Sequence, residues 1–106
     1  MTDVKREFSD SEIEHLSQRF KILSEPSRLK ILRSLFNGEK CVTEIINATN
    51  LLQANVSKQL KILQDAGIVE SRPEGLQRFY HLTDFTVLQI CNVICAKEPS
   101  ELEQFI

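Results

Sequence analysis

Between Glu44 and Leu82 the chain places two helical signals and a hairpin signal directly one after another. Glu44, Ile45, Ile46 and Ala48 form an apolar run long enough for only about two turns before Asn47-Ala48-Thr49-Asn50 interrupts it. A longer run over 53–66 carries Val56, Leu60, Ile62 and Leu63 on one side. Gln53, Asn55, Ser57, Lys58, Gln59 and Lys61 are expected on the exposed side, and Gly67 is the stop. Two β-prone runs follow, 68–72 and 76–82, separated by Pro73-Glu74-Gly75, good turn chemistry for a hairpin.

The flanks supply three more helices. Ser9-Asp10-Ser11-Glu12 offers a capping box, with Ile13, Leu16, Phe20 and Leu23 at helical spacing behind it, which predicts a helix over 10–23. Ser24-Glu25-Pro26 gives an N-cap and a first-turn proline, and Leu29, Ile31, Leu32, Leu35 and Phe36 continue until Asn37-Gly38, predicting a helix over 25–36. At the other end Phe85, Val87, Leu88, Ile90, Cys91, Val93, Ile94 and Cys95 are apolar nearly all round. That predicts a helix over 84–97 covered on two sides, one of them by a partner chain.

No repeat or linker divides the 106 residues, so the expectation is one domain over 1–106, mainly α with a β-hairpin. A short helix, a tight connection, a polar-faced helix and a hairpin describe a winged helix-turn-helix, whose second helix enters the DNA major groove. The expected wing covers 68–82.

The formal net charge of −2 does not by itself suggest a nucleic-acid partner. Its distribution does. Residues 26–63 hold Arg28, Lys30, Arg33, Lys40, Lys58 and Lys61 against only Glu39 and Glu44, whereas both ends of the chain are acidic. The first twenty residues lack the apolar core of a signal peptide and no run reaches membrane-spanning length, so the expected location is the cytoplasm, with no membrane partner. Three cysteines in a reducing compartment do not make a closed disulfide set.

Further motifs sharpen the fold reading: Leu23-Ser24-Glu25-Pro26-Ser27-Arg28-Leu29 with Ile31-Leu32, Cys41-Val42-Thr43-Glu44-Ile45, Val56 to Val69, and Arg78-Phe79-Tyr80-His81-Leu82. Together they resemble the ArsR family of small bacterial winged-helix repressors over about residues 12–97. The resemblance implies a homodimer through the first and last helices, reading a pseudo-palindromic double-stranded operator. It implies no enzyme activity.

Within the reading helix, Gln53, Asn55 and Ser57 are the side chains expected to meet base edges, with Lys58 and Lys61 on phosphate. Arg72 and Arg78 flank the hairpin tip and are expected to make minor-groove or phosphate contacts.

For the signal, the cysteines are the only chemical lead. The metalloid-sensing branch of the family reads Cys-Val-Cys-Asp-Leu where this chain has Thr43 in place of the second thiol. The zinc-sensing branch's ligand positions correspond to Asp84, Thr86, Lys97 and Ser100, so three of four ligands are missing and no metal or cofactor is expected. The sulfide-responsive relatives' two cysteine positions correspond to Arg33 and Pro99.

What remains is redox chemistry at Cys41, Cys91 and Cys95. Cys41 lies beside Lys40 at the start of a helix, the electropositive setting that peroxide-reactive thiols use. Cys91 and Cys95 are four apart on one helix face and available as resolving thiols if that face lies near Cys41. Oxidation of Cys41 is then expected to release the operator, with a cellular thiol reductant restoring it.

Two alternatives stand beside this: As(III) or another thiophilic ion on Cys91 and Cys95 with a third thiol or a His, and a winged helix used only for protein docking. A thiol oxidoreductase is disfavoured by the absence of Cys-x-x-Cys and of a βαβ pattern. His15 and His81 are expected to be structural or solvent-facing.

Overall fold

Ser9 opens the first helix as its spacing predicts. Its hydroxyl accepts the Glu12 N–H while the Glu12 carboxylate accepts the Ser9 N–H, and α1 runs over Asp10–Leu23. The computed structural model describes residues 7–96.

Helix α2 covers Pro26–Leu35, slightly inside the expected 25–36, because Glu25 is the cap, its carboxylate accepting the Ser27 N–H at 2.8 Å. Helix α3 (Val42–Thr49) is short as expected, and α4 spans Gln53–Asp65. The last helix, α5, covers Thr86–Cys95 rather than 84–97. Asp84 stands outside it and accepts the Thr86 N–H, and Lys97 lies outside the described residues, as do Pro99 and Ser100.

A two-residue strand, β1 (Lys40–Cys41), was not legible in the sequence. It pairs with β3 (Gln77–Leu82), which also pairs antiparallel with β2 (Val69–Glu74), giving the order β1-β3-β2. The hairpin turn sits two residues later than expected, at Gly75-Leu76, because β2 continues through Pro73 and Glu74. Proline is tolerated there because β2 is an edge strand, and Gly75 supplies the positive φ (62°) at the first turn position.

The core is built from Ile31, Leu32 and Leu35 of α2, Ile45 of α3, Val56, Leu60 and Leu63 of α4, then Ile68, Val69, Leu82 and Val87. Helix α1 contributes no buried residue. Its Ile13, Leu16 and Phe20 are exposed, as are Ile90 and Ile94 of α5. Ordinary amphipathic helices turn such residues inward, so both helices present apolar surface that the protomer's own core does not use.

Candidate nucleic-acid interface

The connection between α3 and α4 is set by local chemistry. Asn50 takes the left-handed conformation (φ 59°) that ends α3, and Thr49, buried, bonds back to the Ile45 carbonyl at 2.8 Å. After this turn α4 packs on the core through Val56, Leu60 and Leu63 and leaves its opposite side exposed.

Gln53, Ser57, Lys58 and Lys61 are exposed on α4, as the periodicity predicts. Lys61 is shared with Asp65 at 3.3 Å, an exposed pair that is weak in water.

Gln59 and Asn55 depart from the expectation. Gln59 is only 5% exposed and Asn55 is half-buried. The reason is Arg28 on α2, whose Nη1 donates to Gln59 Oε1 at 2.9 Å. Gln59 Nε2 then donates to Asn55 Oδ1 at 3.0 Å, and Asn55 Nδ2 to Ser27 Oγ at 3.2 Å. Two amides that read as surface are therefore satisfied internally. The Arg28 Nε also donates to the Ile22 carbonyl at 2.7 Å, and its Nη2 to that of Lys21 at 3.3 Å. Arg28 stood in a quoted motif, but only a polar partner across the α2–α4 interface reveals its role.

On the wing, Arg72 is engaged rather than free. It bonds Glu39 through Nε at 3.0 Å and through Nη2, bonds Glu74 at 3.0 Å, and lies 5.2 Å from the centroid of the Phe79 ring. The hydrogen bond from Arg72 holds the Glu39 carboxyl below its ordinary value, and the two carboxylates raise Arg72 in turn. Arg78 is exposed and donates through Nε to the Ser71 hydroxyl at 3.1 Å.

The three cysteines are free and fall on two separate surfaces. Cys41 is the N-cap of α3, 6% exposed, and its N–H donates to Glu44 at 3.0 Å. Bonds from that N–H and from the thiol hold the Glu44 carboxyl below its ordinary value. An anionic neighbour thus stands beside Cys41, which the sequence reading, counting only Lys40 and the helix end, did not include.

Cys41 lines a small cleft with Thr43, Arg78 and Tyr80. Cys91 and Cys95 instead line an apolar groove of about 430 Å³ with Phe20, Leu23, Leu29 and Ile94. Cys41 and the two α5 cysteines thus line different cavities, which share no residue. Burial, and secondarily Cys95, push the Cys91 thiol up, while Cys95 is exposed. Among the described residues no group of three or more His, Cys, Asp or Glu could hold a metal ion, and no helix is long and apolar enough to cross a membrane.

The model of the bacterial regulatory proteins of the arsR family matches residues 25–71, from the cap of α2 into β2. An HTH-type transcriptional regulator of Methanocaldococcus jannaschii is 39% identical over 82 residues, 76% of this chain and 92% of that one. The chain belongs to the ArsR family.

Two solved structures extend the likeness to the three-dimensional fold of this ArsR protein. The AntR antimony-specific transcriptional repressor superposes with a TM-score of 0.78 at 28% identity, over 98% of this chain and 99% of that one. A homodimeric winged helix-turn-helix DNA-binding domain from Mycobacterium bovis gives 0.67 at 30% identity, over 85% and 86%. The winged helix-turn-helix expected from the sequence is the fold observed. The ArsR chain is a DNA-binding transcriptional regulator and not an enzyme.

Proposed function

We propose that this ArsR-family repressor acts as a homodimer. Two α4 helices read the half-sites of a pseudo-palindromic operator, and oxidation of the α5 thiols releases it. Helices α1 and α5 form the dimer surface. Their exposed Phe20 and Ile94 (51% and 69%) leave an apolar face that a second copy covers, and the Mycobacterium bovis relative is homodimeric. Gln53 and Ser57 meet base edges, Lys58 and Lys61 reach phosphate, and Arg78 is the freer wing arginine. Arg72 reaches DNA only by leaving Glu39, and Asn55 acts mainly as a brace.

The observation that carries the signal is the placement of Cys91 and Cys95 four apart along one groove of α5, with Cys95 the more exposed of the two in the isolated protomer and Cys41 nearly closed off. Peroxide converts the Cys95 thiol to a sulfenic acid with release of water. The Cys91 thiol then displaces a second water to form a disulfide. Residues four apart on a helix have Cβ atoms about 5–6 Å apart, whereas a disulfide needs about 3.8 Å. Closing the bond therefore distorts the end of the dimerisation helix and with it the spacing of the two reading heads. Two molecules of a cellular thiol restore both thiols and leave as their own disulfide.

The test is fluorescence anisotropy on DNA upstream of the protein's own gene: reduced, after peroxide, and after dithiothreitol. Loss and recovery of binding, abolished by Cys95→Ser and kept by Cys41→Ser, supports the reading. A response abolished by Cys41→Ser instead moves the sensor to α3. Indifference to peroxide with release by As(III) favours the thiophilic-ion alternative, which the likeness to an antimony-specific repressor also supports. Absence of salt-dependent DNA binding in every state favours protein docking.

A further inference from the structure

Helix α1 has no fully buried side chain and packs on the core only through the partly buried Ile22 and Leu23 of its last turn, yet it must hold a fixed attitude to α4 if a dimer built on α1 is to present two reading heads at one spacing. Polar links supplement that packing: Arg19 reaches the Ala66 carbonyl at the far end of α4, and a second link lies at the last turn of α1. The Lys21 and Ile22 carbonyls belong to the last turn of α1, where carbonyls run out of intrahelical donors. Lys21 accepts the Ser24 N–H and hydroxyl, and Arg28 adds Nη2 to it, donates Nε to Ile22 at 2.7 Å, and turns Nη1 to Gln59 of α4.

The direction of the chain is determined throughout. A guanidinium only donates, so Gln59 must present Oε1 to Arg28 and its amide nitrogen to Asn55. Asn55 must then accept with Oδ1 and donate with Nδ2 to Ser27, at the start of α2. Gln59 occupies a buried position that leucine would fill without the desolvation cost of an amide. Its retention of a polar group fits a task of orientation rather than bulk packing. The same last turn of α1 contributes Leu23 and Ser24 to the groove that holds Cys91 and Cys95.

We propose that Arg28 and Gln59 are positioning residues that set the reading angle of α4 against the end of α1, so that movement of the dimerisation helix reaches the reading helix through them. This rests on the reading of α4 as the DNA-contacting helix. Gln59 is too buried to touch DNA itself, so any effect on recognition passes through the placement of α4.

The experiment compares the wild type with Gln59→Leu, which keeps much of the volume and removes both bonds, and with Arg28→Lys, which keeps the charge but gathers its donors on one compact ammonium in place of the planar fork that spans α1 and α4. Amide hydrogen exchange is followed by mass spectrometry, and binding is measured both to a sequence selected by the wild type from random DNA and to random DNA. The expected result is exchange about tenfold faster in peptides over 21–24 and 53–60, with the hairpin over 69–82 unchanged. Affinity for the selected sequence falls about tenfold, while random-DNA affinity and its salt slope hold, because Lys58 and Lys61 remain.

Wild-type exchange in both segments of both variants overturns the proposal. So does acceleration spread evenly over the chain, which is general destabilisation. Localised acceleration in a protein whose wild type selects no sequence upholds the attachment of α1 to α4 and overturns the repressor reading instead.

Discussion

Arg19 of α1 and Asp84, just before α5, form a partly buried ion pair, and the same guanidinium donates through Nη1 to the Ala66 carbonyl at the end of α4 at 2.9 Å. One side chain thus joins α1, the end of α4 and the entry to α5. Asp84 also accepts from the Thr86 N–H and hydroxyl. Burial pushes its carboxyl up, but the Thr86 bonds and Arg19 outweigh that and hold it below the ordinary aspartate value.

A folded-state value below the unfolded one stabilises the fold above about pH 3.9, the unfolded aspartate value, and the contribution is lost as pH falls through the lower folded value. Asp84→Asn is therefore expected to cost about 1–2 kcal/mol at pH 7. The gap from wild type should shrink as pH falls toward 3. Urea unfolding at fixed protein concentration across that range checks it. A gap independent of pH would show that the Asp84 charge is not what stabilises this corner.

The dimer face is open to a direct test. Each fully buried large apolar side chain contributes about 1.5–3 kcal/mol, and every substitution acts twice across a two-fold axis. Phe20→Asp or Ile94→Asp is expected to weaken the dimer by at least about a hundredfold, giving a folded monomer in analytical ultracentrifugation with native helix content by circular dichroism. Dimers that persist in both variants would place the interface elsewhere.

On the reading face, Lys58→Ala is expected to weaken binding evenly across sequences and to reduce the salt slope by about two per dimer, one phosphate per half-site. Gln53→Ala is expected to relax preference at one base pair of each half-site, at about 1–3 kcal/mol per contact. Binding measured against a panel of single-base operator variants at several salt concentrations separates the two.

Glu39 and Glu74 both pair with Arg72, and on the proposed interface these pairs compete with DNA phosphates for it. Removing Glu39 frees one positive charge on each wing. Glu39→Gln is expected to raise DNA affinity about two- to fivefold at low salt, an increase that disappears when Arg72→Ala is added. An equal increase in the double variant would mean that the lost carboxylate acts by net charge alone.

Asn50 has φ of 59°, where a β-branched side chain is strained. Asn50→Val is expected to cost about 1–3 kcal/mol and Asn50→Gly to stay within about 0.5 kcal/mol of the wild type. Thermal unfolding of the two variants at matched concentration reads the difference. A Val variant as stable as wild type would show that the turn between α3 and α4 relaxes to another conformation.

The local signals were legible because each lies within a few residues of what it determines. The Ser9–Glu12 box and the spacing of Ile13 to Leu23 give α1 to the residue, and Val56, Leu60 and Leu63 give the buried side of α4. Where a partner lies far along the chain, the sequence by itself does not decide. Pro73 reads as a turn until β2 is known to be an edge strand, and Cys41 reads as accessible until β1 pairs with Phe79 and Tyr80 of β3. Gln59 reads as surface because polarity marks a solvent face unless a buried partner satisfies it, and Arg28, 31 residues earlier, does so. The sequence determined the order of elements, the polar outer face of α4 and the apolar character of α5. Tertiary structure decided which polar residues are free to meet DNA and which thiols share a surface, because hydrogen bonds and burial depend on groups that only folding brings together.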